Sequence, residues 1–111
     1  MENIEYISPK KLSIFKWNIV NFDKNKEKEI KKNIRNKGCL APVKVREMPL
    51  GKEVWDGRKR VKFAKELGVK EIPYISYGKL EDIEVKSLRT SLAVQREEDI
   101  NFETLYTEWY K

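Results

Sequence analysis

The stretch Glu53–Ile75 leaves this chain few choices of fold. Glu53-Val54-Trp55 has strand composition, and Asp56 is a good N-cap for a helix expected over Gly57–Leu67. Gly68 stops that helix, and a strand is expected at once over Glu71–Tyr77, carrying Ile72, Pro73, Tyr74 and Ile75. Strand, helix and strand in such close succession commit the region to a sheet with helices packed on it. Upstream, Pro42–Glu47 alternates Val43 and Val45 with Lys44 and Arg46, and the turn Pro49-Leu50-Gly51-Lys52 joins it to Glu53-Val54-Trp55 as a hairpin.

The remaining segments follow from spacing. Ile4–Ile7 reads as a short strand ended by Ser8-Pro9. Pro9–Asn25 has no regular period, yet Leu12, Ile14, Phe15, Trp17, Ile19, Val20 and Phe22 make it too apolar to be wholly solvated. Asn25–Lys37 is a charged helix with Ile30 and Ile34 on one face, stopped by Gly38. Leu80–Val94 is helical, with Ile83, Leu88 and Leu92 on related faces, and Asn101–Lys111 gives a last short helix. No repeat, low-complexity segment or linker interrupts the chain, so one domain over residues 1–111 is expected, a small mixed sheet with packed helices.

Composition bounds what such a domain does. The 111 residues carry 24 Lys+Arg against 18 Asp+Glu, a net +6. That balance suits an anionic partner: nucleic acid, nucleotide or an acidic membrane surface. Lys/Glu enrichment on a heat-adapted surface would explain it equally well. There is no histidine, which removes the commonest general base and metal ligand, so neither a zinc site nor a histidine-dependent triad is expected. The single cysteine, Cys39, admits no internal disulfide and reads as a small buried residue after a helix end. The start lacks a signal pattern, and no apolar run approaches the roughly 18 residues a membrane span needs, so a cytoplasmic protein with no membrane partner is expected.

The chemistry concentrates at Asp56-Gly57-Arg58-Lys59-Arg60. The first N–H groups of a helix have no intrahelical partner, and the aligned peptide dipoles leave partial positive charge there. Gly57 is expected to let an anion approach the backbone, while Arg58, Lys59 and Arg60 add full charges in the same turn. Arg58, Lys62 and Lys65 share an exposed face, whereas Val61, Ala64 and Leu67, with Phe63 beside them, face the core. Arg60, four residues before Ala64, is the best phosphate-directed arginine. Its alternative is a salt bridge to Asp56 or Glu53 that merely closes the hairpin. Asp56 is the only acid assigned a catalytic role. Glu81, Asp82 and Glu84 read as caps at another helix start, and no metal ligands are assigned.

These same residues resemble the ParB/sulfiredoxin superfamily. "NKGCLAPVKVR" (36–46) is similar to that family's helix, glycine and proline-led strand. "EVWDGRKRVKFAKELGVKEIPYI" (53–75) is similar to its strand-DG-x-x-R-helix-LG-strand signature, with Gly57, Arg60 and Ala64 correctly spaced. "VQREEDINFE" (94–103) resembles the segment that follows in ParB proteins, so the likeness covers residues 3–103. The resemblance implies a nucleotide-phosphate pocket at Gly57-Arg58-Lys59-Arg60, taking ATP or CTP with Mg²⁺. Members bind CTP in chromosome segregation, use ATP in sulfinic acid repair or phosphorylate free serine, and some are described as nucleases.

The departures narrow this. Where sulfiredoxins place their catalytic cysteine, this chain has Arg58, so sulfiredoxin chemistry is not expected. Leu92-Ala93 stands where ParB proteins have a glutamate-asparagine pair ahead of Gln95-Arg96, and the box reads Gly-Arg-Lys-Arg rather than Gly-Glu-Arg-Arg. With Lys111 as the last residue, a helix-turn-helix reader is not expected. Three functions remain open. The first is a DNA-associated module that binds nucleotide or nucleic-acid phosphate. The second is a phosphoryl-transfer enzyme, either a nucleotide-dependent kinase or a Mg²⁺-dependent nuclease. The third is an adaptor with a vestigial pocket, docking a partner or a second copy through Phe102, Tyr106, Trp109 and Tyr110. The competing role for that aromatic segment is to cover the domain's own core.

Overall fold

Alternating valines build the middle of the sheet. The computed structural model describes residues 3–21, 23–38 and 41–109, and has strands β1 (Glu5–Ile7), β2 (Leu12–Ile14), β3 (Val43–Met48), β4 (Gly51–Asp56) and β5 (Ile72–Ser76). Their spatial order is β1-β5-β3-β4-β2. Central β3 runs antiparallel to β4 and parallel to β5, β1 is antiparallel to β5, and β2 is parallel to β4. The described residues also form the α-helices α1 (Lys24–Lys37), α2 (Arg58–Glu66), α3 (Asp82–Gln95) and α4 (Phe102–Trp109). The expected mixed α/β architecture is the observed one.

The chain packs as two compact units, Met1–Phe15 with Lys24–Leu80, and Lys16–Asp23 with Glu81–Lys111. In the first, cross-strand register puts Val43 beside Tyr74 and Val45 beside Val54 on one face. Those side chains, with Leu12 and Ile72, receive Val61 and Ala64 of α2 to form the core. Each fully buried valine or isoleucine contributes about 1.5–3 kcal/mol of burial. At the end of α2, Gly68 takes φ +70°, and the Val69 N–H reaches back to the Ala64 carbonyl at 3.0 Å. This Schellman closure folds Val69 onto the core and leads straight into β5.

In the second unit Trp17, Ile19, Val85 and Ala93 are buried. Arg89 is buried with them and satisfied by Glu98 at 3.3 and 3.4 Å. The Glu84 carboxylate accepts the Glu81 N–H at 3.0 Å, so these acids cap α3 as expected. Asn101 opens α4, its side-chain oxygen accepting the Thr104 N–H at 3.1 Å.

The structure differs from the sequence expectations in three places. Pro9–Asn25 is not wholly irregular: Pro9–Lys11 is a 3-10 turn, and Leu12–Ile14 forms β2, too short to show a period. Its apolar residues do pack, with Leu12, Phe15, Trp17 and Ile19 buried. The buried stripe of α3 is Val85-Arg89-Ala93 rather than Ile83-Leu88-Leu92; Ile83 is exposed, because a buried arginine hid the true phase. Phe102 and Tyr106 are also exposed, so these two do not cover the domain's own core. The readings made for Phe22, Cys39, Tyr110 and the Trp109 side chain lie outside the described residues.

Candidate functional site

β4 delivers the site. Asp56 is the last residue of that strand and is buried, so it is not the N-cap expected from sequence. The N-cap is Gly57, at φ +91°, and α2 begins at Arg58. A left-handed residue lets an extended strand turn into a helix within a single step, and only glycine does so cheaply. Gly57 has a second cause. A Cβ there would stand 2.7 Å from Val43 Cγ1 and 3.1 Å from Arg60 Nη2. Any side chain at this position would thus collide with Val43 and crowd the site's own guanidinium.

The first turn of α2 contains Arg58, Lys59 and Arg60 and no acid. Arg60 Nη1 donates to the Ala41 carbonyl at 2.9 Å and the Pro42 carbonyl at 3.3 Å, while Nη2 lies against Gly57. Neither of the salt bridges considered for Arg60 forms: Glu53 pairs with Arg46 at 2.7 Å, and Asp56 faces Lys44 at 3.9 Å. Arg58 does not sit on a shared exposed face. It is half-buried, and its Nη1 donates to the Phe15 carbonyl at 3.0 Å, while Lys65 Nζ donates to the Leu12 carbonyl at 3.0 Å. Lys59 reaches Glu27 of α1 at 3.8 Å. The box therefore gathers as expected around the start of α2, but each cation also ties a neighbouring segment to it.

Sequence reasoning missed Lys44 and Val43. Lys44 pairs in register with Asp56 and carries its ammonium 6.0 Å from both the Trp55 and Tyr77 rings. The alternation of β3 was legible, but its register against β4 was not, because a bulge falls between Lys44 and Val45. No group of three or more carboxylates, thiols or imidazoles is placed to hold a metal ion among the described residues.

A cleft of about 590 Å³ opens elsewhere on the sheet, lined by Glu5, Glu47, Lys52, Tyr74, Ser76 and others. Lys52 lies five residues before Gly57 on β4, about 16 Å at strand rise. Its groups satisfy one another. The Tyr74 O–H donates to Glu5 at 2.6 Å, Lys52 pairs with Glu47 at 2.8 Å, and the Ser76 hydroxyl donates to Glu47. The bonds from Lys52 and Ser76 hold Glu47 below its ordinary value. The bond to Glu5, with burial, pushes Tyr74 up to about 12. Two carboxylates to one lysine make this a poor phosphate site.

Residues 1–100 match the sequence model of the ParB N-terminal domain. The chain belongs to the ParB N-terminal domain family. Its fold is similar to that of the C-terminally truncated chromosome-partitioning protein ParB from Caulobacter crescentus, solved in complex with CTP-gamma-S. That likeness has a TM-score of 0.72 at 23% identity over 84% of this chain and 53% of that one. It also resembles a Pnob8-like ParB-N domain (TM-score 0.67, 19% identity, 83% and 37% of the two chains). Sulfiredoxin from Arabidopsis thaliana shares the fold as well (TM-score 0.55, 24% identity, 81% of this chain and 97% of that one). The chain spans about half the length, or less, of these two ParB structures. No curated protein matches it by sequence. Among the described residues no helix is long and apolar enough to cross a membrane.

Proposed function

We propose that this ParB-type domain binds a nucleoside triphosphate by its phosphates at the start of α2, and serves as a DNA-associated protein. The observation that carries the reading is the Arg60 guanidinium. It is held in place by the Ala41 and Pro42 carbonyls, beside the left-handed glycine that opens an acid-free helix N-terminus. Backbone N–H groups and the helix dipole attract an anion there, and a pre-positioned guanidinium loses little freedom on gripping it. Gly57, Lys59 and Arg60 carry the binding, with Arg58 as a supporting charge. The ParB protein solved with CTP-gamma-S shares this fold, which makes CTP the first nucleotide to try and ATP the second.

The family's glutamate-asparagine pair is replaced here by Leu92 and fully buried Ala93. The reading accordingly places the phosphate grip on α2 and asks nothing of α3 at those positions. Any Mg²⁺ would arrive with the phosphates, which supply most of its ligands in such sites. Asp56, buried and faced by the Lys44 ammonium, is the acid through which any turnover would run.

The test is thermal unfolding with CTP, ATP and ADP, with and without Mg²⁺. A nucleotide at about 100 times its Kd stabilises by about 2.7 kcal/mol, several degrees for a domain of this size. Arg60→Lys keeps the charge but not the fork, and is expected to fold and lose most of the shift. Asp56→Asn, assayed for phosphate release, reports on turnover. No shift with any nucleotide in the unmodified protein overturns the reading.

A further inference from the structure

We infer that helix α1 is a binding surface for the phosphate backbone of duplex DNA, separate from the nucleotide site and independent of it. The fold has already used many of its cations. Arg58, Lys59 and Arg60 contact protein acceptors, as do Lys31, Arg46, Lys52 and Lys65. On α1 the situation differs. Lys24, Lys28, Lys32 and Arg35 are exposed, and among the described residues none has a carboxylate within ion-pair distance.

Their spacing of four, four and three residues places them within a quarter of the helix circumference, along about 16 Å of its axis. Like charges at this spacing repel by about 0.2–0.5 kcal/mol per pair, which an isolated α1 would have to bear. Lys31 and Lys62 both stand 5.7 Å from the Phe63 ring, which extends the positive surface from α1 onto α2.

The chemistry of the stripe selects its partner. An interfacial membrane helix needs large apolar side chains on one face to enter the lipid. A protein partner is anchored by buried aromatic or aliphatic residues. The exposed positions of α1 are Lys, Asn, Glu and Arg only; Ile30 is half-buried and Ile34 is buried against the fold. A straight row of cations with no apolar anchor fits a polyanion carrying a charge every 1.7 Å or so of its axis. No base-reading geometry is implied, so affinity is expected without sequence preference.

The experiment measures binding of the intact chain to a fluorescent random-sequence DNA duplex across a salt series. The triple variant Lys28→Gln, Lys32→Gln, Arg35→Gln is measured beside Arg60→Lys. All three glutamines are good helix formers on an exposed face, and circular dichroism with a melting curve checks the fold. The triple variant is expected to bind more than tenfold more weakly at moderate salt, with the slope of log K against log salt reduced by about 2.7, or 0.9 per lost contact. Its thermal shift with nucleotide should be unchanged, while Arg60→Lys should leave duplex binding intact. Unaltered duplex affinity in the folded triple variant overturns the inference. So does duplex binding lost only in Arg60→Lys, or a surface that binds vesicles of anionic lipid and not DNA. Failure of the nucleotide shift alone bears on the phosphate site and leaves the α1 surface standing.

Discussion

Replacing Gly57 with alanine sets a methyl group 2.7 Å from Val43 Cγ1 and 3.1 Å from Val43 Cβ, at a residue whose φ is +91°. Two costs add. Holding an L-residue in the left-handed region costs about 1–2 kcal/mol, and overfilling a packed core about 1–3 kcal/mol. Val43 is fully buried in central β3 and has little room to retreat. Gly57→Ala should therefore lose about 2–5 kcal/mol, against a total of about 5–15 for a domain of this kind. The assay is urea unfolding followed by tryptophan fluorescence and circular dichroism. With a slope near 2 kcal/mol per molar, the midpoint falls by about 1–2.5 M. The decisive comparison is a double-mutant cycle with Val43→Ala. Removing the valine γ-methyls takes away the 2.7 Å clash but leaves the Cβ contact and the backbone strain, so the two substitutions should couple favourably by about 1–3 kcal/mol. Additivity within about 0.5 kcal/mol refutes the packing argument. A loss below about 1 kcal/mol for Gly57→Ala would show that Val43 yields and that the glycine is not required for packing.

Three further outcomes are expected. Tyr74, with its O–H on Glu5 and its pKa pushed up to about 12 from 10.0, should ionise late in an ultraviolet titration, and Glu5→Gln should bring it down towards 10.0. The neutral phenol is the favoured form, so its contribution is complete below pH 10 and is lost as pH climbs towards 12. Glu53→Ala removes the carboxylate that Arg46, only 4% exposed, holds at 2.7 Å, and should cost about 3–5 kcal/mol by urea unfolding; a cost under 1 would mean that the other contacts of Arg46, the Leu80 carbonyl and Phe15 ring among them, suffice. Glu97 closes α3 at φ +54° with an exposed side chain, so Glu97→Gly should raise stability by about 0.5–1 kcal/mol while Glu97→Ala gives no gain.

The elements that were legible from sequence are those whose signal is local. Gly38 and Gly68 ended α1 and α2 where expected, Val43 and Val45 marked β3, and the box at residues 56–60 fell at the start of α2. What escaped was pairing across distance. β2 exists because Leu12–Ile14 lies parallel to Lys52–Val54, a register that no local composition reveals. The face of α3 was misread because its central buried residue is Arg89, whose cost is offset by Glu98 beyond the helix end. The N-cap shifted from Asp56 to Gly57 for a similar reason: β4 keeps its hydrogen-bonded register with β3 as far as Asp56, leaving the turn to the glycine alone.

The same distinction separates the two surfaces. A cluster of basic residues in sequence says nothing about whether the fold consumes them. At residues 58–60 two arginines are anchored on the carbonyls of residues 15, 41 and 42, which makes them architectural first and electrostatic second. A guanidinium with five donors can do both, and that is why Arg60 is still the residue to test there. Lys24, Lys28, Lys32 and Arg35 of α1 have no such second employment among the described residues, and Ile34 is the one buried residue of that helix. A charged helix with so little core contact draws its stability from few apolar contacts and from exposed pairs such as Lys31–Glu66 and Lys59–Glu27, each worth no more than about 1 kcal/mol. Binding a polyanion along the stripe should therefore order α1 as well as neutralise it. Hydrogen exchange of the α1 amides is expected to be fast in the free protein, to slow when duplex DNA is added and to stay fast in the triple glutamine variant.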